Sequence, residues 1–171
     1  MQQENNGRPD INRPIENPVL KELMKQVLIC KNTNAPREQA IETFNKMTGE
    51  MVMNAYFLVV AEIDKSSLEP TPEGGAVFTK DTHISFPGLK HPDGSFMQPV
   101  FTDWEELRKW EPFKEGDVDT IVMSFDDVFA VISGKHDNLI VNPFGNDVIV
   151  FPYDMLAQFK RRKDSINNGK N

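Results

Sequence analysis

Three histidines, a single cysteine and two carboxylate clusters are the side chains from which this chain would have to build a reactive centre. His83, His91 and His136 fall in a hairpin arm, a turn and a loop, without the paired short spacings by which proteins hold zinc, so no metal is expected. Cys30 closes an amphipathic helical stretch, where a free cysteine behaves as a small buried hydrophobe. A reactive thiolate would need a histidine and electropositive surroundings. There is no Gly-x-Ser-x-Gly elbow, and Gly74-Gly75 and Gly94 do not make a phosphate loop, because neither leads into Gly-Lys-Ser/Thr or opens a helix as Gly-x-Gly-x-x-Gly. Asp103, Glu105 and Glu106, like Asp126 and Asp127, stand in the first turns of expected helices. Anions are stabilised there by the helix dipole, which accounts for them without acid–base chemistry. No catalytic residue and no cofactor are expected.

The aromatics have more to offer. Trp104, Trp110 and Phe113 surround a short helix, and Phe144 lies beside a turn. Large aromatics are mostly core, and core packing is the favoured reading, but an exposed cluster of this kind can also anchor a partner.

The elements that would position these groups follow from periodicity. Asn17-Pro18 opens a helix, with Asn17 as N-cap and Leu20, Leu23, Met24, Val27 and Leu28 along one face. A second helix starts near Pro36, with Ile41, Phe44 and Met47 on one side, and ends at Gly49 or continues through Met53. Ala55 to Ala61 is a continuous apolar run, as in a strand buried on both faces. The loop from Pro70 to Gly75 precedes two weak strands, Ala76 to Thr79 and Thr82 to Phe86. His91-Pro92-Asp93-Gly94-Ser95 is a hairpin turn leading into a strand from Phe96 to Phe101, whose Pro99 suggests an edge or a bulge. Thr102 and Glu105 fit a capping box, and Ser124 to Asp127 repeats the pattern before an apolar helix stopped by Gly134. Strands Leu139–Val141 and Val148–Phe151 flank a turn at 142–146, and a last helix is expected over about Tyr153 to Arg162. Helices lead, a hairpin sits in the middle, and both mix later: an α+β fold, a mostly antiparallel or mixed sheet covered by helices.

With 171 residues, 39% hydrophobic and 26% charged, the composition is that of one globular domain. The net charge of -7 opposes binding to nucleic acid. The one basic run, Lys160-Arg161-Arg162-Lys163, is read as complementing the dipole at the end of the last helix. No apolar run is long enough to span a membrane, and Met1 to Gly7 lacks the pattern of a secretory signal. One cysteine permits no internal disulfide, so a cytoplasmic location is the default expectation.

Taken in order, Pro99-Val100-Phe101-Thr102-Asp103-Trp104-Glu105-Glu106-Leu107, Ser124-Phe125-Asp126-Asp127-Val128 and Leu139-Ile140-Val141-Asn142-Pro143-Phe144-Gly145 resemble the N-terminal domain of the SseB family, named for enhanced serine sensitivity. Upstream, Phe57-Leu58-Val59-Val60 stands where the family has its first strand, usually Leu-Val-Pro-Val, and lacks the proline. The resemblance runs from about residue 18 to 160 and is strongest over 96–156. It implies a bacterial cytoplasmic α+β protein without an established catalytic mechanism, so no catalytic residue carries over. Longer members add a C-terminal domain, which this chain is expected to lack.

The expected organisation is a disordered tail over 1–16, an SseB N-terminal-like domain over 17–163 and a disordered tail over 164–171. The expected function is non-enzymatic binding of an unknown protein partner or small molecule, with no nucleic acid or membrane partner. Phe101, Thr102, Asp103, Trp104, Asn142 and Phe144 would form the binding surface at one end of the sheet. Two alternatives stand beside it. One is a sensor or enzyme whose site draws together Asp103, His136 and Asn142; the other is an acidic protein that neutralises a basic partner.

Overall fold

The structure, a computed structural model, describes residues 15–70, 72, 76–77, 79–111, 119–135 and 137–169. The expected N-terminal tail as far as residue 14, most of the loop after Pro70, Phe113, His136 and the last two residues lie outside the described residues.

Two helices open the chain, α1 (Pro18–Asn32) and α2 (Arg37–Met53). Leu20 and Met24 of α1 and Met47, Met51 and Val52 of α2 are buried, as their helical spacing predicts. Strand β1 (Tyr56–Ile63) follows, and Phe57 through Ala61 are all buried, so the apolar run is a central strand covered on both faces. The short β2 (Glu69–Pro70) and β3 (Ala76–Val77) make a separate ribbon, and β4 (Ile84–Ser85) pairs with the far end of β1. Strands β5 (Leu89–Lys90) and β6 (Phe96–Val100) form the expected hairpin, with Gly94 at φ 92 in its turn. Next come α3 (Trp104–Leu107), β7 (Asp119–Ser124), α4 (Phe125–Ser133), β8 (Asn138–Val141), β9 (Ile149–Phe151) and α5 (Tyr153–Asn168).

The strands fall into the orders β4-β1-β7 and β5-β6-β8-β9, antiparallel except for the parallel pair β6–β8. Leu58 and Phe101 join the two groups by exchanging backbone hydrogen bonds of 2.9 and 3.0 Å. The sheet therefore turns on the residue that ends β6. One face packs against α1, α2, α4 and α5 through Phe57, Val59, Val100, Leu139, Val141 and Phe151. The other carries Leu58, Val60 and Phe101 under Leu107 and Trp110. Each large apolar side chain buried in these layers contributes roughly 1.5–3 kcal/mol. This is the α+β architecture that the sequence predicts.

Two local expectations are corrected. Pro99 lies in an interior strand, paired in register with Ile140. It is tolerated because its nitrogen points to the side where β5 pairing stops at Met97 and the β1 contact begins only at Phe101, so no ladder bond is lost. The last helix runs on to Asn168, which puts Lys160 to Lys163 in mid-helix. Lys163 pairs with Asp126 at 2.7 Å, and Lys160 contacts both Asp126 and Asp164. These lysines thus tie α5 to the first turn of α4. The capping box of α4 is as expected, with Ser124 and Asp127 bonding each other's backbone amides.

Candidate functional site at the sheet end

The six sequence-predicted residues come together where β6 and β8 end side by side. Parallel pairing of Val100 with Val141 places Phe101-Thr102-Asp103 next to Asn142-Pro143-Phe144. Asn142 adopts the left-handed conformation, φ 53, which asparagine tolerates better than most residues. Its Oδ1 accepts the Thr102 N–H at 3.0 Å, and its Nδ2 donates to the Thr102 hydroxyl at 3.0 Å. That hydroxyl lies 3.0 Å from Asp103 Oδ2 and donates to it. Asp103 also takes the Glu106 N–H at 2.9 Å and the Lys21 ammonium at 2.7 Å.

The cap of α3 is therefore Asp103, not Thr102. The expected pairing of Thr102 with Glu105 gives way because the Thr102 hydroxyl is taken by Asn142 and Asp103. Thr102, Asp103 and Asn142 are all buried, and each polar group finds its partner within the cluster. Burial alone would push the Asp103 carboxyl up, but Lys21, the Glu106 amide and the Thr102 hydroxyl outweigh it and hold the pKa below the usual range. Lys21 is held above its ordinary value, chiefly by its hydrogen bond to Asp103 and against the effect of burial. Asp103 is thus held as an anion, without the raised pKa of a general acid.

Sequence reasoning missed a second asparagine in this cluster. Asn17, also left-handed at φ 44, does not cap α1 with its side chain. Its Nδ2 donates to the Tyr56 carbonyl at 2.6 Å and to the Thr102 carbonyl at 2.8 Å. Thr102 is held from both sides by asparagines that precede prolines, Asn17-Pro18 and Asn142-Pro143. The repeated Asn-Pro dipeptide was the available signal.

Above this polar cluster stands an aromatic one. Phe101, Trp110 and Phe144 stack mutually, with centroids 6.0 to 6.5 Å apart and interplanar angles of 17° to 26°. Phe101 and Trp110 are buried, whereas Phe144 remains 41% exposed. Trp104, partly buried, packs against the same cluster. On the flank, an open groove of ≈ 400 Å³ runs between Lys21, Glu22 and Lys25 of α1 and Asp103, Trp104 and Glu105. Asn142 does not line it.

Among the described residues no cluster of three His, Cys, Asp or Glu could hold a metal ion, and no helix is long and apolar enough to cross a membrane. His83 and His91 are exposed, and His91 pairs with Asp93 at 3.0 Å. Cys30 is buried between α1 and α2.

The fold and the sheet end define a small α+β domain, a mixed sheet with helices on one face and a capped aromatic corner on the other. The family model described as SseB protein N-terminal domain matches residues 22–158, and the chain belongs to that family. No curated protein and no solved structure matches it.

Proposed function

We propose that this domain is a non-catalytic binding module of the bacterial cytoplasm that recognises a protein partner through the sheet-end surface around Phe144. The observation that carries the reading is a large aromatic ring left 41% exposed while stacked on two buried rings. Such a ring offers apolar area that is already ordered, and aromatic anchors on firm supports dominate binding energy in protein interfaces. The turn that carries it is held by Asn142 and Thr102, which lowers the ordering cost of association. The mutual satisfaction of Thr102, Asp103 and Asn142 supports a positioning role for them, with Phe101 as the base of the stack and Trp104 on its flank.

The test is parallel capture from a native lysate of the source organism on immobilised wild type and Phe144→Ala. A stoichiometric protein held by wild type, released by the variant and retained at high salt is expected. Equal recovery by both proteins, or a blank, overturns the reading. A partner lost at moderate salt points instead to charge-driven neutralisation of a basic protein.

A further inference from the structure

On the helical side of the molecule, α2 and α5 enclose a second groove of ≈ 240 Å³. Val52 and Phe159 form its floor, and Met53 and Ile166, both more than 40% exposed, form its apolar lips. Gly49 and Arg162 complete it, and these two residues identify what it takes.

Gly49 lies inside α2, where glycine is a poor helix former compared with alanine. Its backbone is not left-handed, and a side chain there would meet nothing within 4 Å. Among the described residues nothing in the fold requires the glycine. Gly49 lines the groove, and leaving out a side chain there keeps that wall low for something that enters from outside. Arg162 stands on the rim and, among the described residues, has no ion-pair partner, whereas the neighbouring Lys163 is engaged by Asp126.

We infer that the α2–α5 groove is a docking site for an acidic amphipathic helix of another protein. The walls are helices whose backbones bond internally, so an extended strand laid along them would leave its own amides and carbonyls unpaired. A helix brings its backbone already satisfied and can seat a row of side chains between two helical ridges. Its large apolar side chain passes over Gly49, and its acidic residues meet Arg162. A second copy of this chain does not fit. A two-fold contact would set this lining against itself, and the lining holds Arg162 and Lys163 but no carboxylate, while each copy carries a net charge of -7. The chain's own residues 1–14 offer only Met1 and Ile11 as large apolar side chains, with Pro9 and Pro14 among them, and supply no helical stripe.

The probe is a displayed library of short amphipathic helices with a fixed leucine stripe and randomised flanking positions, selected on the full chain. Enriched helices should carry Glu or Asp beside the stripe and bind wild type at least about tenfold more tightly than Gly49→Leu or Arg162→Glu. Exchanging their acidic residues for lysine should restore binding to Arg162→Glu. Gly49→Ala, in which the helix is favoured, guards against misfolding and should weaken binding to an intermediate degree. Failure to enrich any helix, enrichment of basic helices, or equal binding to Gly49→Leu overturns the proposal. So does saturable binding of decanoate at this groove with no helix bound, which would make it an acyl site.

Discussion

Asn142 holds Thr102 by both its main chain and its hydroxyl, and does so from a left-handed backbone conformation. Two separable costs follow from replacing it. Alanine loses the acceptor for a buried N–H and strains the backbone, for a destabilisation of roughly 2–4 kcal/mol. Glycine loses the same bonds but accepts the conformation, and is expected to cost about 1 kcal/mol less. Urea melts of the two variants measure the difference. Equal losses would mean that the turn relaxes out of the left-handed region when the side chain is removed.

Gly145, in the same turn, has its own constraint. The Glu106 carboxylate fills the space where a side chain on Gly145 would lie, while its other oxygen pairs with Lys109 at 2.6 Å. The close approach favours glycine although φ is not positive. Gly145→Ala should therefore cost about 1 kcal/mol by displacing the carboxylate. In a Glu106→Ala background the same change should cost almost nothing, giving a coupling of about 1 kcal/mol in a double-mutant cycle. Additive losses would show that the turn itself excludes the methyl group.

The Lys21–Asp103 pair sets a pH window. The Asp103 pKa is lowered from 3.8 on folding, so its stabilisation is present above that value and is lost as pH falls through the lower folded one. The Lys21 pKa is raised from 10.5, so its contribution is present below that value and is lost as pH rises through the higher folded one. Between these limits the contribution is flat. Lys21→Met should cost about 1–2 kcal/mol at neutral pH, less than breaking a fully buried pair because solvent reaches Lys21. It should also flatten the acid limb of stability against pH, because without Lys21 the burial of Asp103 no longer meets the same opposition. An unchanged acid limb would assign that limb to other carboxylates whose pKa is lowered on folding, Asp93 and Asp126 among them.

Local patterns were legible in the chain where one residue decides the outcome. Ser124 and Asp127 make their box because both partners lie within one turn, and Gly94 marks the hairpin because φ 92 suits glycine. The apolar run of β1 announces a strand buried on both faces. What the sequence could not supply was competition between distant groups. Thr102 looks like a helix cap until Asn142 takes its hydroxyl from 40 residues away. Asn17 stands at the N-cap position as expected, but its side chain turns away from α1 to accept the Tyr56 N–H and to donate to the Tyr56 and Thr102 carbonyls. Lys160 and Lys163 suggest a helix end until Asp126 of α4 meets them. The convergence of Phe101 with Phe144 was within reach, since two strands ending in aromatic turns only had to be neighbours. The stacking of Trp110 on both depends on the path of the chain after α3, which no periodicity in so short a helix reveals.

The last prediction separates folding from function at Gly49. An exposed glycine inside a helix, free of backbone strain and with open space around its α-carbon, should be improved by alanine. Gly49→Ala is expected to stabilise the protein by about 1 kcal/mol through helix propensity and a less flexible unfolded chain. A shift of a few degrees in thermal midpoint would register it. A gain means that the native residue sits below its own stability optimum, as residues kept for contact with another molecule often do. A loss would mean that the methyl group collides with part of the chain outside the described residues, and would place the reason for the glycine within the fold itself.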